Sequence, residues 1–382
     1  MDKRIDRLQR RAAADSSVIS LAGGLPASSL FPSRALAASA SRVLRREGEQ
    51  ALQYAWPEGR EGLRRWVAER LARRGAQVSA ADVIITSGAQ QAIAVAAELT
   101  VPRGGRVAVD AESYPGALDL LRVRGAVLVE HASDAACRYL TPAVTNPRGR
   151  RMSPDARAAA LEAARRGASF LIEDDAYADL CFDGDAGRPL LADAPGRVFH
   201  VGTFSKVLAP GLRIGWLIAP RAQREAALEQ KRLQDLQSNS LTQAILDDFL
   251  GEDDFDARLA RARRLYQRRA TRLCAALRRH LPEWTFEAPV GGFSVWAEAP
   301  EEGDEPQLLE TAARFQTGFD PGRMFVAHGG SRPIGMRLAF SLEPSSRIEE
   351  AVRRLAAAWK AFRLAPTERP RATSEEAGTA VM

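Results

Sequence analysis

Cysteine is scarce in this 382-residue chain: Cys137, Cys181 and Cys274 are the whole supply. Three scattered thiols cannot build a disulfide framework and show no metal-ligand spacing, which points to a reducing compartment. Histidine is almost as sparse. His131, His200, His280 and His328 stand singly, and neither a His-x-x-x-His nor a Cys-x-x-Cys pair exists, so no metal is expected. No apolar run reaches the ~18–20 residues of a membrane span. Residues 1–11 are charged and lack the apolar core of a secretory signal. The expected location is the cytoplasm, with no membrane partner.

Lysine is the other deficit. Lys3, Lys206, Lys231 and Lys360 are the only four among 54 basic residues, in a chain of formal net charge +6. The arginines are dispersed among Asp and Glu instead of forming one stripe, so no nucleic-acid partner is expected. Their densest stretch, residues 258–279, has Leu259, Leu265, Tyr266, Leu273 and Leu277 threaded through it and reads as one amphipathic helix. Lys3, Lys231 and Lys360 fall in terminal or helical surface contexts. Lys206 does not.

What is present alternates. Helical patterns cover residues 34–47, 62–74, 90–99, 115–124 and 154–166, and β-branched runs cover 83–86, 106–109, 126–129, 170–172, 198–201 and 213–218. That order predicts an α/β domain with a mainly parallel sheet between helices, and its ligands at the carboxyl ends of the strands. From about residue 223 long helices follow, then strands at 293–296 and 336–340 and helices at 306–316 and 346–362, which reads as a smaller α+β domain. The organisation expected is an N-terminal arm with part of the small domain over 1–33, a large ligand-binding domain over 34–250, a small domain over 251–364 and a disordered tail over 365–382.

The residues with chemical potential sit at the ends of these runs. Gly202-Thr203-Phe204-Ser205-Lys206 follows a strand. A partly desolvated lysine there loses its proton readily, and a neutral amine forms a Schiff base with a carbonyl. Arg213, seven residues on, depresses that lysine further and suits a phosphate. Thr86-Ser87-Gly88-Ala89-Gln90-Gln91 lies between a strand and a helix, where free backbone N–H groups suit a phosphate or a serine simply caps the helix. Glu173-Asp174-Asp175-Ala176-Tyr177 supplies an acid for a ring nitrogen and a donor for a phenolate oxygen, or an ordinary polar loop. Asn146-Pro147 and Tyr114-Pro115 add a polar turn and an aromatic face. Taken together, this set answers every group of pyridoxal 5′-phosphate (PLP).

These motifs resemble those of the fold-type I, class I/II PLP-dependent aminotransferases, most of all the 2-aminoadipate and kynurenine aminotransferases and the C-terminal half of MocR-type regulators. The resemblance also rests on Ser20-Leu21-Ala22-Gly23-Gly24-Leu25-Pro26 with Leu30-Phe31-Pro32, Leu52-Gln53-Tyr54 with Glu58-Gly59, Pro210-Gly211-Leu212-Arg213 and Arg337-Leu338-Ala339-Phe340-Ser341. It implies a catalytic set of Lys206, Asp174 and Tyr114: Lys206 holds the cofactor and moves the α-proton, Asp174 pairs with the ring nitrogen, and Tyr114 stacks on the ring. Asn146 and Tyr177 bond the ring oxygen. Ser87, Gly88, Ala89, Gln90, Thr203, Ser205 and Arg213 cradle the phosphate, and Tyr54 reaches the phosphate of a neighbouring subunit in a homodimer with shared sites. Arg337 grips the substrate α-carboxylate, with Asn146, Gly24 and Arg7 also at the substrate. The implied reaction moves the amino group of an L-amino acid to a 2-oxo acid by a ping-pong cycle.

The chain departs from that pattern in three places. About fifteen residues, including a helix, are missing between Gly125 and Asn146. The usual Gln-Asn-Pro-Thr-Gly reads Thr145-Asn146-Pro147-Arg148-Gly149, and Pro-Gly-Asp reads Pro102-Arg103-Gly104-Gly105. Racemases, β-lyases and decarboxylases share the fold and stay open as alternatives. So does a non-catalytic PLP-binding sensor, although only about twenty residues precede the Leu21-Ala22-Gly23-Gly24 motif, too few for the winged-helix domain such regulators carry. A degenerate structural homologue is disfavoured by the intact Lys206, Asp174, Arg213 and Arg337.

Overall fold

The structure is a computed structural model and describes residues 5–7, 15, 17–130, 132, 134–167, 169–328 and 332–364. The expected tail over 365–382 lies outside these residues.

Seven strands form the central sheet: β2 (Val83–Thr86), β3 (Arg106–Ala108), β4 (Val127–Val129), β5 (Cys137–Leu140), β6 (Phe170–Asp174), β7 (Val198–Thr203) and β8 (Gly215–Ile218). Their order across the sheet is β2-β8-β7-β6-β5-β3-β4. Neighbours from β7 to β4 are parallel, and β8 runs antiparallel to both β2 and β7. Alternation along each strand divides the core between two faces. Val83, Ile85, Leu171, Val198, Trp216 and Ile218 pack against helices Glu61–Arg73, Pro154–Arg165 and Ser240–Glu252. Ile84, Ile172, Phe199, Val201 and Leu217 pack on the other face against Ala89–Thr100 and Pro115–Val123.

The helix starts follow local chemistry. Ser153 accepts a hydrogen bond from the Ala156 amide at 3.2 Å, with Pro154 at the first helical position. Asp254 caps Phe255–His280 by accepting from the Ala257 amide at 2.9 Å. This 26-residue helix, anticipated from its arginine-and-leucine pattern, spans two cores. Phe255 and Leu259 pack with the central sheet's helices, and Tyr266 to Leu277 pack with the second sheet.

The second sheet comprises β9 (Thr285–Phe286), β10 (Ser294–Glu302), β12 (Asp320–Pro321) and β13 (Pro333–Ala339), all antiparallel, in the order β12-β13-β10-β9. A parallel pair, β1 (Ile19–Ser20) with β11 (Thr317–Gly318), ties the N-terminal segment to it.

Two features of the sheet differ from expectation or were left indistinct by the sequence. The run over 213–218 belongs to the antiparallel strand, so Arg213 precedes its strand instead of following one. It still reaches the same edge, because Gly215 at the start of β8 pairs with Thr86 and Thr203 at the ends of β2 and β7. The shortened connection between β4 and β5 carries no helix among its described residues, and Ala132 and Ala135 pack there on Ala108 beside the sheet's edge strand β4.

Candidate active site

The carboxyl ends of β2, β6 and β7 and the start of β8 open onto a cavity of about 310 Å³, the size of a small-molecule site. It brings together Lys206, Asp174, Tyr114, Asn146, Tyr177, Thr203, Ser205, Arg213, Ala89, Gln90, Gly24 and Arg337. Four expected residues lie outside its lining. Gly88 is the residue before the helix Ala89–Thr100. The Ser87 hydroxyl turns away and donates to Asp235 Oδ2 at 3.0 Å. Tyr54 is 78% exposed and Arg7 is exposed.

Lys206 follows β7 and donates from Nζ to the Gly24 carbonyl at 2.9 Å. Its ammonium is pushed down to about 8, chiefly by burial and then by the positive charges of Arg337 and Arg213; Asp174 opposes them. Of the other lysines, Lys3 lies outside the described residues and the remaining two differ. Lys360 is exposed, but Lys231 corrects the expectation of a surface residue. It is fully buried and paired with Asp235 at 3.1 Å, one helical turn away and outside the cavity.

One part of the cavity is built for an anion. Arg213 adopts a left-handed backbone conformation, φ +53°. Its Nη2 donates to the Ser87 carbonyl at 3.2 Å and its Nη1 lies 3.4 Å from Ser205 Oγ. Thr203 Oγ1 accepts from the Ser205 amide at 3.1 Å. The first amides of Ala89–Thr100 complete the cup. Gly88, at φ +87°, is required here because a Cβ would lie 2.6 Å from Arg213 Nη2.

Asp174 ends β6. Its Oδ2 accepts from the Tyr139 hydroxyl at 2.6 Å and its Oδ1 accepts from the Ala176 amide at 3.2 Å. Burial pushes this carboxyl up, against those hydrogen bonds and the nearby Lys206. The flanking acids face elsewhere. Glu173 accepts from the Leu190 and Leu191 amides and bonds His200, and Asp175 pairs with Arg74. Only the middle member of the acidic run therefore enters the cavity, as strand alternation dictates. Tyr177, pushed up to about 12 by burial, packs edge-on against Phe293 with ring centroids 5.2 Å apart.

Arg337 enters from β13. Its Nε and Nη2 donate to Asp320 Oδ2 at 2.9 and 2.7 Å, and its Nη1 donates to Asn146 Oδ1 at 3.1 Å. Arg148, at the position where the usual motif has Thr, bonds Glu112 at 2.7 Å and Glu298 of β10 at 2.8 Å, and lies over the Trp296 ring. It joins the loop after Asn146 to the second sheet.

Sequence reasoning missed Tyr139 and Asp320. Tyr139 lies on a strand whose Cys-Arg-Tyr-Leu composition has no β-branched residue, and Asp320 reads as a turn residue before Pro321. Neither carries a local signal of its partner.

The donor set fits PLP. A cationic cup suits the phosphate, a buried carboxylate suits a protonated ring nitrogen, and a desolvated amine suits the aldehyde carbon.

Comparison with known proteins agrees. The family model for aminotransferase class I and II matches residues 16–318. The 2-aminoadipate transaminase of Thermus thermophilus is 35% identical over 90% of this chain and 90% of its own. The crystal structure of LysN, the α-aminoadipate aminotransferase of Thermus thermophilus complexed with N-(5′-phosphopyridoxyl)-L-leucine, superposes with a TM-score of 0.84 at 32% identity, covering 95% of this chain and 98% of that one. An uncharacterised HTH-type transcriptional regulator of Escherichia coli, YjiR, is 30% identical over 93% of this chain and 79% of its own.

Proposed function

The chain belongs to the class I and II aminotransferase family, and on that premise we propose that it moves the amino group of an L-amino acid to a 2-oxo acid such as 2-oxoglutarate or pyruvate. Its cofactor is PLP, which when bound supplies an aldehyde and an electron-withdrawing ring. The observation that carries the reading is the placing of one buried lysine, Lys206, in a cavity with Asp174, Arg213 and Arg337.

Each residue then has a task. Arg213, Ser205, Thr203 and the amides of Ala89 and Gln90 hold the phosphate. Asp174, oriented by Tyr139, keeps the ring nitrogen protonated. Asn146 and Tyr177 donate to the ring oxygen, and Tyr114 covers the ring. Lys206 is the amine that holds the carbonyl carbon covalently. Lys206 would also serve as the cavity base that takes the proton from the substrate Cα. Arg337 meets the substrate α-carboxylate with its planar fork. The same residues serve the return half-reaction on the acceptor oxo acid, which gives ping-pong order.

Tyr54 belongs to a second site. Leu52, Tyr54 and Trp56 are 67%, 78% and 78% exposed, and an exposed apolar patch of this kind suits a subunit interface. The assembly proposed is a homodimer in which Tyr54 reaches the partner's phosphate cup. The three cysteines are buried and unpaired, which supports a reducing, cytoplasmic location.

Borohydride reduction of the PLP-loaded protein, followed by peptide mapping, tests the assignment. The cofactor should be fixed to Lys206 alone, and Lys206→Ala should lose both the adduct and transamination. Adduct on Lys231, which is also buried, would overturn it.

A further inference from the structure

Arg337 is held on three sides before any substrate arrives. Its face lies over Phe325, with Cζ 4.7 Å from the ring centroid. Its Nη1 donates to Asn146. Its Nε and Nη2, which share the side edge of the guanidinium, both donate to one oxygen of Asp320. Asp320 is the direct cross-strand partner of Arg337 in the β12–β13 pairing. It is 2% exposed and does not line the cavity, so its route to a substrate held there runs through Arg337.

The same carboxylate has a second task. The Gly23 amide donates to Asp320 Oδ1 and Oδ2 at 3.1 and 2.9 Å, with Gly23 in the left-handed region at φ +74°. The next two residues, Gly24 and Leu25, line the cavity, and the Gly24 carbonyl accepts from Lys206. Asp320 therefore joins Arg337 to the loop that forms the cavity rim.

We propose that Asp320 is the positioning residue of the carboxylate site, fixing the roll of Arg337 so that its end edge, Nη1 with Nη2, faces the cavity while the rim loop is held to the same carboxylate. This rests on the reading of Arg337 as the α-carboxylate contact. A free guanidinium can offer a carboxylate its side edge or its end edge. With the side edge occupied, one orientation of the substrate carboxylate remains, and so one orientation of the substrate Cα relative to Lys206. What Asp320 supplies is an acceptor at a fixed place. Its negative charge works against an incoming carboxylate.

Position and charge separate experimentally. Asp320→Asn keeps an acceptor oxygen in place and removes the charge. Asp320→Glu keeps the charge and moves it by one methylene. Asp320→Ala removes both. The readout is kcat/KM for an L-amino acid relative to a carboxylate-free amine of the same side chain, with PLP retention and thermal unfolding measured alongside. Asp320→Ala and Asp320→Glu should lower that ratio about 10- to 100-fold, the scale of a misplacement near 1 Å, and Asp320→Asn should recover most of the loss. PLP retention should not change. The proposal is overturned if Asp320→Glu behaves as the native protein while Asp320→Asn is impaired, or if no variant moves the ratio although Arg337→Lys does. Arg337→Lys leaving the ratio unchanged would instead remove the carboxylate reading beneath it. Should the Ala and Glu variants fail to fold, a drop of about 10-fold or more in Asp320→Asn alone overturns the positional account.

Discussion

The Tyr139 hydroxyl donates to Asp174 Oδ2 at 2.6 Å in a buried pair that joins the neighbouring strands β5 and β6. Asp174 is the acid that faces the cavity, and Tyr139 sets which way it faces. Tyr139→Phe keeps the ring and removes the hydrogen bond. A hydrogen bond to a charged group contributes about 1.5–3 kcal/mol, so kcat/KM is expected to fall roughly 10- to 100-fold. Steady-state kinetics with a thermal-unfolding control checks this, since a merely structural tyrosine would lower stability and spare the rate.

Lys206 gives a pH prediction. Burial and two arginines push its ammonium down to about 8, below the ~10.4 of a free lysine. The neutral amine is the reactive form, so the reaction of PLP with the apoprotein should accelerate as pH rises and level off above about pH 8. Stopped-flow absorbance across pH 6.5 to about 10.5 measures it, the upper end being the ordinary lysine range. A rate still climbing at the upper end would mean that Lys206 titrates as a solvated lysine.

Gly88→Ala should damage the phosphate cup before it damages the fold. The new methyl would lie 2.6 Å from Arg213 Nη2 at a residue with φ +87°. A backbone at φ +87°, ψ 172° is essentially reserved for glycine and costs another residue about 1–3 kcal/mol, and Arg213 must also move. PLP binding measured by equilibrium dialysis should weaken about 10-fold or more. Unchanged retention would place the phosphate away from Arg213.

Tyr54 tests the shared site. Mixed subunits of Lys206→Ala and Tyr54→Phe should recover activity that neither homodimer has, because one site of each hybrid keeps both residues. A fully active monomer in sedimentation would contradict the arrangement.

Much of this was legible from residue order. The alternation of helices and strands followed from the patterning, and so did the placing of the candidate residues Lys206 and Asp174 at strand ends. What escaped was set by tertiary pairing. Arg213 looked like a residue of a parallel strand, because the direction of β8 depends on its neighbours and not on its own sequence. Tyr139 sits on a strand without β-branched residues, and its partner is 35 residues away. Asp320 meets Arg337 only through the register of β12 against β13. Lys231 looked solvated because a helical lysine usually is; its burial depends on how its helix packs.

The most direct test of the account is a single turnover without acceptor. Purified PLP-loaded protein is mixed with an excess of an L-amino acid drawn from a panel of aliphatic, acidic and aromatic side chains, and the products are identified by mass spectrometry. At least one donor should yield one equivalent of the matching 2-oxo acid per site and abolish the internal PLP absorbance, which adding 2-oxoglutarate or pyruvate should restore. Racemised amino acid, carbon dioxide or ammonia in place of the stoichiometric oxo acid would contradict transamination, and so would spectral binding across the whole panel with no product.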